Sequence, residues 1–257
     1  MLQTTATLIS RQSSGPSQEL VLHAPELVRQ LAPGQAVLVK AGPGLDPYLR
    51  RTFYPVALDA ETWTLRLPPS ADWGAAWLRT APLGLEIDCL GPVGNGFSVA
   101  AGVRNLLCIG QGDPAWSLLP LLGWAAAAGL AVTFATGALT ARDSVPATRL
   151  PAAVEYHLVT QDGRQDPAGT LLSTLSDLLP WADAVCAAGS VEFYVRLAET
   201  VKAARYGLTR GFAQVLYPAT FLCGTGACQS CVADVAGGRR RVCLRGPVFD
   251  LTDVVAG

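Results

Sequence analysis

The stretch "NLLCIGQG" (residues 105–112) divides the chain into two kinds of pattern. It is a short apolar run that ends in a glycine turn, as a strand buried on both faces of a parallel sheet reads. Downstream the pattern alternates. A Leu- and Ala-rich helix (116–128) is followed by the strands "AVTFATGA" (131–138) and "EYHLVTQDG" (155–163). Leucines at helical spacing follow in "AGTLLSTLSDLL" (168–179), then the strand "ADAVCAAGS" (182–190) and the helix "VEFYVRLAETVKAARYG" (191–207). Such alternation predicts an α/β domain with a parallel sheet. Upstream, short strand-like runs such as "TATLIS", "ELVLHAP", "QAVLVKAG", "YPVALDA", "TWTLRLP" and "LEIDCLGP" are separated by turns such as "SSGPS", "APGQ" and "GPGLDP". That spacing predicts a closed antiparallel barrel.

The totals agree with a globular protein of more than one domain. The chain has 257 residues, half of them apolar, and only 15% charged. It is long for one domain and comfortable for two with a small third. Net charge is −1, and the arginine run Arg239–Arg241 is short and reads as a solvated turn, so no basic stripe points to nucleic acid. Residues 115–141 carry no charged side chain. Pro120, Gly123, Gly129 and Gly137 interrupt them, and a buried αβ unit fits better than a membrane span. The opening "MLQTTATLIS" lacks the basic start and apolar core of a signal peptide, so a cytoplasmic location is expected. Seven cysteines in that compartment point to metal or redox chemistry before disulfides.

Four of the seven are close together near the C-terminus, spaced Cys223-x4-Cys228-x2-Cys231-x11-Cys243. This is the plant-type [2Fe–2S] spacing. Gly224 and Gly226 allow a tight turn and leave room for amide N–H groups to face inorganic sulfide. A zinc site would use paired C-x2-C knuckles or histidines, and His23 and His157 are far away in sequence. Cys89, Cys108 and Cys186 lie inside apolar runs and read as small buried hydrophobes.

The segment "FAQVLYPATFLCGTGACQSCVADVAGGRRRVCLRGPVFD" (212–250) resembles the iron–sulfur tail of the electron transfer subunit of dihydroorotate dehydrogenase, a ferredoxin reductase-like family. "DPYLRRTFYPVAL" (46–58) is similar to its arginine-led flavin motif, and "LGPVGNGF" (90–97) to its junction between barrel and nucleotide-binding domain. The resemblance implies three parts: a FAD-binding β-barrel over 1–100, an α/β nucleotide-binding-like domain over 101–204, and a [2Fe–2S] domain over 205–257. It implies electrons passing from NAD(P)H through FAD and the cluster to a partner catalytic flavoprotein subunit in pyrimidine biosynthesis. The two chains would form a hetero-oligomer. Cys223, Cys228, Cys231 and Cys243 would hold the cluster. Arg51 would bind the FAD pyrophosphate, with Thr52 and Phe53 following and Tyr54 at the family's serine or threonine position. Gly74 and Ala75 stand where the family has a glycine–threonine pair. Asp113 follows the glycine turn, and Ala188 replaces the cysteine of the family's cysteine–glycine–proline turn. No residue acts as a nucleophile or general base in this scheme. Those departures keep two rivals open: a reductase for another redox partner, and a relay or scaffold subunit that has lost nicotinamide binding, with or without loss of FAD binding.

Overall fold

The computed structural model describes residues 1–42, 44, 48–69, 72–161 and 170–256. Asp46 and Pro47 of the flavin-like motif, and residues 162 and 163 at the end of "EYHLVTQDG", lie outside them. The chain divides into two units. One comprises 1–96, 219–232 and 241–247; the other comprises 97–218, 233–240 and 248–257.

The first unit is built on a seven-stranded antiparallel sheet. Its strands are β1 (Leu2–Ser14), β2 (Ser17–His23), β3 (Ala36–Val39), β4 (Arg51–Phe53), β5 (Ala57–Leu58), β6 (Thr62–Leu67) and β7 (Glu86–Val93). The spatial order is β4-β3-β7-β1-β2-β6-β5, so β4 and β5 are the outermost pair. Only residues 54–56 join them, and such a link reaches about 14 Å. In a flat sheet of seven strands the edges would stand about 29 Å apart. The sheet must therefore curl until its edges approach, which gives the antiparallel barrel form expected from the sequence, though as a half-barrel: among the described residues no ladder pairs β4 with β5, so it is not closed there. Strand alternation explains which side fills it. In β3, Val37 and Val39 join Leu8, Leu20, Leu22, Trp63 and Leu65 in the core, while Leu38 points to the opposite face by the two-residue period. Short helix α1 (Pro25–Val28) follows β2, and α2 (Trp73–Thr80) packs Ala75 and Leu78 onto the same core.

The second unit carries the expected α/β pattern. Its strands are β8 (Asn105–Gln111), β9 (Ala131–Ala138), β10 (Val154–Thr160), β11 (Ala184–Ala188) and β12 (Ala213–Leu216), all parallel. The full order is β10-β9-β8-β11-β12-β15, where β15 (Val248–Asp250) is an antiparallel edge strand. Helices α3 (Leu119–Ala127), α4 (Leu171–Leu178) and α5 (Val191–Arg205) connect these strands, and α7 (Leu251–Val254) follows β15. The uncharged stretch resolves into a 3-10 turn (Asp113–Leu118), α3 and β9. No helix among the described residues is long and apolar enough to cross a membrane. β8 sits between β9 and β11, so the winding reverses there. In such sheets ligands bind outside the carboxyl ends of the strands at that reversal.

Between Cys231 and Cys243 the chain runs out and back as a two-stranded ribbon, β13 (Val232–Val235) and β14 (Gly238–Arg241). It ends in the single turn α6 (Val242–Arg245).

Candidate functional site

All four clustered cysteines fall in the first unit. Cys223, Cys228 and Cys231 occupy one loop; Cys243 is carried by α6. The loop turns through left-handed backbone at Gly224 (φ 71°), Gly226 (φ 78°) and Gln229 (φ 57°). Gly226 is doubly constrained, because a Cβ there would run into the Leu244 side chain. Gly224 lies against Leu38 and Val93 on the outer face of the barrel, with a Cβ position 3.0 and 3.1 Å from their side chains. The loop is thus seated on the face that Leu38 turns away from the core.

The sulfurs come in two linked pairs. The Cys228 amide donates to Cys223 Sγ at 3.5 Å, and the Cys243 amide donates to Cys231 Sγ at 3.4 Å. The Val242 amide also bonds the Cys231 carbonyl at 2.7 Å, which fixes the second pair in place. Cys231 and Cys243 are buried, Cys223 is half-buried and Cys228 is exposed. Burial opposes ionisation of Cys223, but amide and hydroxyl donors of Cys228 and Thr225 outweigh it and bring its pKa down to about 6. Burial, then the adjoining Cys231 thiol, pushes Cys243 up to about 12, against a donor from the Gly226 backbone. Among the described residues no three His, Cys, Asp or Glu side chains converge on a single-ion site. Two thiol pairs, each held by an amide-to-sulfur bond, fit a centre in which each iron takes two thiolates. The same amides would tune its potential.

Strand β4 runs beside this loop. Thr52 Oγ1 accepts from the Phe221 amide at 2.7 Å and donates to the Phe221 carbonyl at 3.2 Å. The Tyr54 hydroxyl donates to the Ala219 carbonyl at 3.2 Å, and its ring meets Phe221 edge-on at 6.5 Å. Burial, followed by the charge of Cys231, keeps that hydroxyl protonated far above its ordinary range, although the Ala219 backbone bond works the other way. Thr52 and Tyr54 therefore hold the segment that enters the cysteine loop. Phe53 instead packs against the barrel core. The Thr52→Val variant leaves both polar groups of the Phe221 peptide without this partner. We expect it to lower unfolding stability by about 1–3 kcal/mol. A denaturant titration checks the loss, and Thr52→Ser should restore most of it.

Arg51 faces a carboxylate. Its Nε lies 3.0 and 3.2 Å from the two Asp72 oxygens and its terminal nitrogen 2.8 Å from one of them. Asp72 also caps α2, accepting from the Ala75 amide at 2.9 Å. The Arg51 bond holds Asp72 below the usual carboxylate range. A Cβ on Gly74 would stand 3.0 Å from Ala41 Cβ and 3.3 Å from Arg51 Nε, so glycine keeps the approach to the guanidinium open. An arginine fork beside a helix N-terminus is a donor set suited to a diphosphate, and here Asp72 engages it. The sequence reading passed over Asp72. An aspartate just before a helix start is a capping signal that would have found it.

In the second unit a cavity of about 550 Å³ opens at the carboxyl ends of β8, β9 and β10. Gln111, Gly112, Thr160, Phe193 and Arg196 are among its lining residues. Arg196 brings positive charge to this cavity, while Asp113 begins the 3-10 turn just beyond Gly112. Thr160 is 2% exposed, and its hydroxyl has no hydrogen-bond partner among the described residues. The Ala188-Gly189-Ser190 turn is held by Tyr194: its buried oxygen accepts from the Gly189 amide at 2.8 Å and donates to the Leu216 carbonyl. Ser190 caps α5 through the Phe193 amide. Cys108 and Cys186 face each other across neighbouring strands, and burial raises both thiols, Cys186 to about 12. Cys89 is likewise buried and raised to about 12. All three are packing residues, as the sequence suggested.

Comparison with known proteins places this geometry. Residues 219–255 match the iron–sulfur cluster binding domain of dihydroorotate dehydrogenase B. The chain is 30% identical over 238 residues to the dihydroorotate dehydrogenase B (NAD(+)) electron transfer subunit of Lysinibacillus sphaericus (strain C3-41), covering 90% of each chain. It is 30% identical over 248 residues to that of Shouchella clausii (strain KSM-K16), covering 93% of this chain and 92% of the relative. Its fold is similar to that of an NADH-dependent reduced ferredoxin–NADP oxidoreductase studied for flavin-based electron bifurcation. The TM-score there is 0.82 at 19% identity, with 96% of this chain and 88% of the other covered. The chain belongs to the family of dihydroorotate dehydrogenase B electron transfer subunits.

Proposed function

We propose that this chain is the electron transfer subunit of a dihydroorotate dehydrogenase. It takes electrons from NADH and delivers them to a separate catalytic subunit, in a cytoplasmic hetero-oligomer. The observation that carries the reading is the pairing of Cys223 with Cys228 and of Cys231 with Cys243, within a chain 30% identical over 90% of its length to such subunits. Bound FAD would accept a hydride's two electrons, and a [2Fe–2S] cluster would carry them onward singly.

The residues divide the work. Arg51 and the Gly74–Ala75 end of α2 bind the FAD diphosphate. Thr52 and Tyr54 fix residues 219–221, and so fix the position of the cluster relative to β4. The four cysteines hold iron. Gln111, Gly112, Thr160 and Arg196 receive the nucleotide at the carboxyl edge of the second sheet. The test is a visible spectrum of anaerobically isolated protein before and after NADH. We expect flavin bands with added iron–sulfur absorbance, both bleached by NADH. Stoichiometric zinc without acid-labile sulfide would overturn the reading. A second reading, a chain that keeps the cluster but binds FAD weakly, is favoured by the Asp72 carboxylate on Arg51. Cluster bands without flavin bands would select it.

A further inference from the structure

Trp73 has a surface that neither the barrel core nor the cap of α2 explains. It is the first residue of α2, between Asp72 and Gly74, and it is 55% exposed. Ala75 and Leu78 of the same helix join the core, and Trp77, one turn along on the side of Trp73, packs against it. The indole of Trp73 is left outside. Helix side chains tilt back towards the N-terminus, so the first residue of α2 overhangs the end of the helix. That end carries the donor set for a diphosphate. All three nitrogens of the Arg51 guanidinium are held there. Asp72 engages Nε and one terminal nitrogen, and the Leu49 carbonyl accepts from the other at 3.0 Å. The guanidinium is therefore fixed, and an exposed aromatic stands one residue from the carboxylate that meets it.

We propose that Trp73 is the stacking platform for the adenine of FAD, and so the residue that makes this site take FAD rather than FMN. The inference rests on the proposed function and adds which end of the dinucleotide lies on which side of Arg51. FAD has a flavin at one end of its diphosphate and adenosine at the other. The flavin end belongs towards the cysteine loop, because electrons pass between the two. That direction is marked along the chain. Thr52 and Tyr54, one and three residues beyond Arg51, bond the Phe221 and Ala219 backbone that leads into Cys223. Adenosine leaves Arg51 the other way, among residues that precede β4 or open α2. Two exposed aromatics are found there, Trp73 and Tyr48, the latter 73% exposed. Tyr48 belongs to no helix or strand, so stacking on it would also have to order its backbone. Trp73 is anchored by a capped helix whose next residues are in the core. Its indole offers the larger flat face, and covering that face removes apolar surface from water.

Three probes separate the two ends: FAD, FMN, which lacks the adenosine monophosphate part, and ADP, which lacks the flavin. Each is titrated calorimetrically into the flavin-depleted full-length protein. Trp73→Ala should raise the dissociation constants of FAD and ADP by about tenfold, the usual effect of removing one aromatic face from a base. It should leave that of FMN unchanged. Trp73→Phe should recover most of the loss. Trp73→Leu keeps apolar bulk at the start of α2 without a flat ring, and should show the same selective loss, so a folding defect in the alanine variant does not decide the result. Tyr48→Ala should alter none of the three. Arg51→Gln should weaken all three, since each carries phosphate. Equal weakening of FAD and FMN in the Trp73 variants would overturn the proposal, because the ring would then act on the whole site and not on adenine. A selective loss that appears in Tyr48→Ala instead would overturn it too. A wild-type protein that binds none of the probes would overturn the FAD part of the proposed function, and this inference with it. FAD held as tightly by Trp73→Ala as by the wild type would overturn this inference alone.

Discussion

Replacing Cys231 with alanine is expected to remove the iron–sulfur centre altogether, with iron and acid-labile sulfide falling below about a tenth of the wild-type content. Cys231 is 6% exposed, its Sγ receives the Cys243 amide, and its carbonyl receives the Val242 amide. It is the residue through which the loop and α6 are joined. Losing its thiolate leaves one iron with a single protein ligand in a buried position, where water cannot substitute freely. Because the four ligands come from a loop and a single helical turn, ligand binding is also folding energy for these segments. The variant should therefore lose stability as well as colour. Cys228→Ser provides the contrast. Cys228 is exposed and lies 3.1 Å from the Ser230 hydroxyl, so a hydroxyl ligand or solvent can complete that iron. We expect this variant to retain a weakened cluster with altered electron paramagnetic resonance signals. Iron and sulfide assays with thermal unfolding check both. Equal retention of cluster in the two variants would show that the pairing described here is not the ligand arrangement.

The parts that were legible in the sequence are those written in local pattern. The change from short strands to strand–helix alternation at residues 105–112 needs only periodicity. The cysteine spacing needs only counting. What was not legible depends on residues remote in sequence. Thr52 bonds Phe221 across 169 positions, and no local signal marks a threonine for that task. Ala213–Leu216 and Val248–Asp250 are only four and three residues long. They sit in the segment assigned from the resemblance to the [2Fe–2S] domain, and they become strands because β11 offers β12 an open edge and β12 offers another to β15. Tyr54 is a middle case. The resemblance places it at the family's serine or threonine position, and only the fold shows that its hydroxyl is engaged by Ala219. The resemblance to a family pointed to Arg51; it could not show that an aspartate from the start of α2 would meet it.

That aspartate gives the second large effect. The Asp72→Asn variant should bind FAD more tightly than the wild type, by about threefold to tenfold in dissociation constant. In the structure Asp72 already gives Arg51 a bidentate carboxylate and gives the Ala75 amide an acceptor. A diphosphate would use the same donors, so it must break the ion pair and then share the site with a negative charge. The pair is partly exposed, with side-chain exposures of 29% and 37%. Solvent screening limits the cost of breaking it to about 1 kcal/mol. Repulsion between Asp72 and the phosphates adds to that cost. Asparagine removes the repulsion and the ion pair but remains a good helix cap, so α2 should persist. Arg51→Gln should act oppositely and weaken FAD, because it removes the guanidinium of this donor set. Titration of the flavin-depleted protein with FAD, followed by quenching of flavin fluorescence, measures both. If Asp72→Asn weakens FAD or leaves it unchanged, Asp72 supports the flavin site rather than competing for it.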